Sequence, residues 1–109
     1  MQRPTTFAAT ESGVLPKFTH AMEHSRSVAD VRKYFVYAML EVLNAVLDGQ
    51  VELAYEDISL APHAPGYVLS SRLAEHPVFS ALRQTSDIDA ILARFAAASA
   101  TRANAFAEA

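Results

Sequence analysis

The sequence contains no cysteine, which removes disulfides, thiolate metal sites, iron–sulfur clusters and cysteine nucleophiles from the chemistry open to it. Glycine occurs only at Gly13, Gly49 and Gly66, too sparsely for either familiar phosphate-cradling loop. Positive charge is scarce as well. Nine Lys and Arg stand against twelve Asp and Glu, a formal net charge of −3. Nucleic-acid binding, which draws its affinity from phosphate contacts, is therefore not expected. The most apolar run, YFVYAMLEVLNAVL, is interrupted by Glu41 and Asn44 and is too short to span a bilayer. The opening MQRPTTFAATESG lacks the apolar stretch of a signal peptide, so a cytoplasmic protein without membrane association is expected.

What remains is the composition of an ordinary globular protein, 51% hydrophobic and 19% charged over 109 residues, enough for one cored domain. Residues 1–13 are rich in Thr and Ser, lack periodicity and end in Ser12-Gly13; they read as a flexible N-terminal arm, with a single helical domain over 14–109. A short helix is expected from about Pro16 to His24, with proline at a permitted first-turn position. Ser27-x-x-Asp30 resembles a capping box, and Gly49 stands where a helix commonly ends left-handed, so a long helix is expected over about 28–48. Its polar residues form one narrow stripe, and nearly everything else on it is apolar. An ordinary surface helix is apolar over about a third of its circumference. This one must be covered on several sides, either as the centre of the domain or by a second subunit.

Residues 50–72 are ambiguous between a short helix and strands, because runs this short do not separate the two periods. The loop APHAPG lies between them. Ser70 or Ser71 is expected to cap a short helix that restarts at Pro77. Ser86-x-x-Asp89 opens a last helix with Ile88, Ile91, Leu92 and Phe95 on one face. Half of the final twenty residues are Ala, which favours helix and close approach. Fraying is expected beyond about Ala100. The fold class is thus mainly α, four or five helices around the long central one, with α+β and a short hairpin at about 51–55 and 67–70 as the alternative. The expected core is Val31, Phe35, Met39, Val42, Leu43 and Val46 with Phe18, Phe79, Leu82, Ile88, Ile91, Leu92 and Phe95.

Three groups of residues carry candidate chemistry. HAMEH, residues 20–24, spells His-x-x-Glu-His. On a helix His20 and His24 lie one turn apart, where two neutral imidazoles can share zinc and Glu23 can take a proton from its water. These five residues resemble the inverted zinc-peptidase motif. That family has a much larger domain and a further downstream acidic ligand, which has no evident place here; Glu75 and Glu108 are candidates only by default. His63 or His76 would complete a metal site if the chain folds back. The plainer reading is a solvated helix end opposite Phe18 and Met22. No Glu-x-x-His occurs, so a carboxylate-bridged di-iron bundle has no support.

Lys33, Tyr37, Glu41 and Asn44 can line a small-molecule cleft, or simply be the solvent-facing stripe that any such helix needs. Val36, Leu40, Leu43 and Leu47, at i, i+4, i+7 and i+11, form a second apolar face suited to a homodimer interface. The stretch ALRQTSDIDAILARF has helix–turn–helix rhythm, but Asp87 and Asp89 would repel phosphates at the end that reads DNA. The acidic YEDIS lacks calcium-loop spacing, and no spacing of Ser, His and Asp suggests a nucleophile elbow. The leading expectation is a non-enzymatic helical protein working by protein–protein association, most simply as a homodimer, without cofactor. A zinc protein built on His20, Glu23 and His24, and a small-molecule binder, are the alternatives.

Overall fold

Ser27 begins the element around which everything else is arranged. Its hydroxyl oxygen accepts the Asp30 N–H at 3.0 Å, and the Asp30 carboxylate accepts the Arg26 N–H at 3.0 Å. The box thus closes one residue earlier than the usual reciprocal pattern. From this cap α2 runs Val28–Leu47. It ends at Asp48, which is left-handed (φ 51°) and donates its N–H to the Asn44 carbonyl at 3.1 Å. Gly49 (φ 75°) completes the stop.

The structure, a computed structural model, describes residues 6–63 and 65–107. Its order is α1 (Ala8–His24), α2, a 3₁₀ turn (Tyr55–Asp57), β1 (Ile58–Leu60), β2 (Tyr67–Leu69), α3 (Ser71–Ala74), α4 (Pro77–Thr85) and α5 (Ile88–Ala107). The mainly α class is what the sequence implies, and the hairpin of the α+β alternative is also present with its first strand displaced: β1 pairs antiparallel with β2, Ile58 opposite Leu69 and Leu60 opposite Tyr67.

The helical excess of α2 is covered within the chain. α1, α5 and β1 pack around it, and Val31, Phe35, Met39, Val42 and Leu43 are fully or almost fully buried. One cluster joins these to Phe18, Ile58, Phe79, Ile88, Ile91, Leu92 and Phe95. Val46 and Leu82, expected in the core, sit partly buried at its margin. α2 is thus the central helix of the domain.

The region expected to be a loose arm is helical from Ala8 onward, and residues 1–5 lie outside the described residues. Gly13 and Pro16 disfavour helix locally, and Pro16 falls mid-helix rather than in the first turn. Contacts from α5 overcome this. The Asp87 carboxylate, just before α5, accepts the Phe7 N–H at 2.9 Å and the Thr6 hydroxyl at 2.8 Å, in effect capping α1 from a distant part of the chain. Arg94 grips Glu11 with two bonds of 2.7 and 2.8 Å. At the other end Arg102 reaches the Ser25 hydroxyl (3.0 Å) and carbonyl (2.9 Å), where a cation suits a helix C-terminus. α5 therefore runs parallel to α1 and is tied to it at three heights. It continues to Ala107 without the expected fraying past Ala100, helped by Arg102 stacked 4.8 Å over the Phe106 ring.

The hairpin's position is set by Asp57. Its carboxylate accepts the Ala54 N–H (2.8 Å) and the Ser70 hydroxyl (2.6 Å) and pairs with Arg72. That closes the 3₁₀ turn and starts β1 only at Ile58, while Val51 is buried at a bend in the irregular link before it. Ser70 also accepts the Leu73 N–H at 3.1 Å, so the same group caps α3. At the far end Gly66 has φ 98°, and a Cβ there would meet the Ala96 Cβ at 3.1 Å. Ser86 accepts the Ile88 N–H at 3.3 Å, but Asp89 does not close a box with it. Asp89 instead holds Arg83 (3.0 Å) and receives a long bond from the Tyr67 hydroxyl (3.4 Å).

Candidate functional site

The antiparallel hairpin of α1 and α2 leaves a groove of about 390 Å³ along its outer face. Val14 and Phe18 of α1 and Ala38 of α2 form its buried floor. Tyr34 and Tyr37 stand on one side, and the Lys17–Glu41 pair (3.6 Å) crosses the rim. Both partners of that pair are well exposed, so it contributes little to stability. Tyr37 is 54% exposed and meets Tyr55, itself 44% exposed, edge-on with ring centroids 5.8 Å apart. Lys33 lies 5.1 Å over the Tyr34 ring. Three of the chain's four tyrosines thus share one face.

Of the expected cleft residues, Tyr37 and Glu41 line this groove, whereas Lys33 and Asn44 do not. Periodicity located the stripe; it could not show that α1 supplies the floor and opposite wall, nor that Tyr55 joins from a turn far along the chain. The signal available for the face was the pair Tyr34 and Tyr37 on neighbouring positions of the long helix; nothing local ties Tyr55 to them.

The expected interface residues fare differently. Val36, Leu43 and Leu47 are 2%, 0% and 1% exposed within the single chain, and Leu40 is partly buried. A second copy cannot reach the three buried ones without displacing this chain's own packing. The apolar face exists, and within the single chain intramolecular contacts use it.

His20 and His24 do come together. Their ring centroids lie 4.2 Å apart with planes inclined by 33°, and His24 Nδ1 is 2.9 Å from the His20 carbonyl, an acceptor that fixes a proton on Nδ1. Imidazole lone pairs lie in the ring plane, so rings facing each other do not aim two nitrogens at one point. A shared ion would require both rings to leave this stack. Glu23 is exposed beside them. His76 Nδ1 accepts the Val78 N–H at 3.2 Å as the cap of α4, and His63 is exposed in the hairpin loop. Among the described residues no three His, Asp or Glu are grouped to hold a metal; Glu108 lies outside them.

The perturbed titrations belong to structural ties. Burial pushes the Asp57 carboxyl up, but bonds from Ser70, Ala54 and Arg72 outweigh it and hold the group below the ordinary carboxylate range. The Phe7 N–H is the chief cause holding Asp87 low. Burial first, then the neighbouring Asp89 charge, raises Tyr67. Each of these groups joins secondary-structure elements and none faces the α1/α2 groove.

The fold and this face define a small helical domain with an aromatic-rimmed surface groove. No protein-family model, curated protein or solved structure matches the chain. No described helix is long and apolar enough to cross a membrane.

Proposed function

We infer that the protein is a non-enzymatic helical binding module that works by protein–protein association through its tyrosine face, most simply with a second copy of itself. The observation that carries this reading is the placement of Tyr34 and Tyr37 on the wall of an apolar groove, with Tyr37 more than half exposed and Tyr55 packed edge-on against it. Tyrosine is enriched at interface hot spots because it brings large apolar area with few rotatable bonds and a polar tip. Such rings gain by being covered. The reading keeps the homodimer of the sequence-based expectation but moves it from the buried Leu43 face to the exposed Tyr37 face, and it keeps the cytoplasmic location.

Sedimentation velocity over a range from micromolar to near-millimolar concentration tests it. The wild type is expected to show a concentration-dependent dimer, and Tyr37→Glu to remain a folded monomer throughout. A wild type that stays monomeric at the top of the range overturns self-association.

The same groove supports a second reading, since its volume falls within the range of small-molecule sites, roughly 300–1,000 Å³. A ligand taken there would raise the melting temperature of the wild type and not of Tyr37→Glu.

A further inference from the structure

The outer edge of β1 has no strand partner among the described residues. The Ser70 N–H bonds to the Asp57 carbonyl (2.8 Å) and the Ala61 N–H to the Gly66 carbonyl (2.9 Å), with Ser59 opposite Val68 between them. In an antiparallel ladder this alternation assigns Asp57, Ser59 and Ala61 to β2, and turns the backbone groups of Ile58 and Leu60 toward the other edge. Ile58 is fully buried. Leu60 is only partly so, and no bond to its N–H or C=O occurs among the described residues.

Beside that edge lie two neighbouring hollows, of about 330 and 290 Å³, with Arg32 and Leu60 on the wall of both; together they are the two halves of a trough along β1. The first half also carries Glu56. The second is walled by Val28, Leu60, Pro62 and Ala103, and its polar members are Arg32 and Asn104. Arg32 is exposed and has no carboxylate within salt-bridge distance among the described residues. An unpaired guanidinium, an unpaired strand residue and apolar walls therefore converge at one place, on the opposite side of Tyr55 from the tyrosine groove. Glu56 repels an anion from the first half and favours one on the Asn104 side of Arg32.

We propose that this trough takes an extended peptide segment bearing a carboxylate, which adds to the free edge of β1 through the Leu60 N–H and C=O and sets its carboxylate on Arg32. The occupant's backbone supplies the complementary donor and acceptor, its apolar side chains fill the space between Val28 and Pro62, and its charge matches the one cation present. Strand addition of this kind draws affinity from main-chain bonds and specificity from alternate side chains. The trough shares only Tyr55, on the Glu56 side of Arg32, with the tyrosine face.

The test is a titration of the isotope-labelled protein with acetyl-Val-Thr-Glu-Thr-Val-amide, whose Val and Glu side chains share one face of a strand, followed by amide shifts and amide hydrogen exchange. Shifts are expected at Val28, Arg32, Leu60 and Ala61, together with slower exchange of the Leu60 amide. The glutamine counterpart of the peptide, and the protein variant Arg32→Gln, are each expected to weaken binding by about tenfold, the effect of removing one charge-assisted pair. No shift at millimolar peptide, or binding indifferent to both changes, overturns the proposal. So does a response confined to Tyr34 and Tyr37. Isovalerate is the control for a bare carboxylate: if it reproduces the whole response, Leu60 protection included, strand addition is wrong.

Discussion

Asp57 is 4% exposed and takes three donors, from Ala54, Ser70 and Arg72. Through them one carboxylate shapes the 3₁₀ turn, places the start of β1 and steadies the cap of α3. A buried carboxylate is tolerable only when its acceptor sites are filled. Removing its charge leaves donors under-satisfied, so Asp57→Asn is expected to cost about 1–3 kcal/mol at neutral pH. The pH dependence has a definite sign. The folded-state pKa lies below the unfolded one, so the stabilisation is complete above the ordinary carboxylate pKa of about 3.9 and is lost as pH falls through the lower folded value. Thermal melts from pH 7 into the acid range are expected to fall steeply for the wild type and less steeply for Asp57→Asn. Equal slopes would mean that other groups, such as Asp87, dominate acid unfolding.

At the scale of elements, α1 shows how far packing can overrule local preference. Gly13 and Pro16 weaken it from within, yet it is continuous because Asp87, Arg94 and Arg102 of the α5 region hold its start, its first turn and its end. Only Arg102 meets the helix C-terminus, where it bonds the Ser25 carbonyl and suits the negative end of the dipole. Arg102→Met keeps much of the stem's packing and deletes these bonds. It is expected to destabilise by about 1–2 kcal/mol and to speed amide exchange in the last turn of α1 and the Ser25–Ser27 turn more than in α2. Uniform acceleration over all helices would place the effect in the global equilibrium instead.

At the scale of the molecule, α2 is the shared wall of a single core. Leu43 is 0% exposed among residues from both other long helices and the hairpin. Leu43→Ala is expected to cost about 2–5 kcal/mol, a large part of the roughly 5–15 kcal/mol that such a domain has. Because the elements share one cluster, unfolding is expected to stay a single cooperative step, with near- and far-ultraviolet dichroism coincident in urea. By contrast, Tyr37→Glu, at a surface position, is expected to change stability by no more than about 0.5 kcal/mol. A dimer broken by Tyr37→Glu in a fully stable chain, set against a chain destabilised by Leu43→Ala, would separate association from folding.

Much was determined by the sequence alone, wherever information is local. The cap at Ser27, the stop at Asp48 and Gly49, the break at Pro77 and the apolar period of α2 and α5 are written in neighbouring residues, and nearly all of the expected core is buried. The tertiary structure decided what depends on partners distant along the chain. It built α1 through a glycine and a proline, using donors and acceptors some eighty residues away. It chose residues 58–60 over 51–55 for the first strand, because Asp57 found Ser70 and Arg72. It covered Val36, Leu43 and Leu47, and left Tyr37 and Tyr55 on the surface. Periodicity reports how wide an apolar face is, but not whether the same chain or another one covers it; that depends on which elements arrive against it.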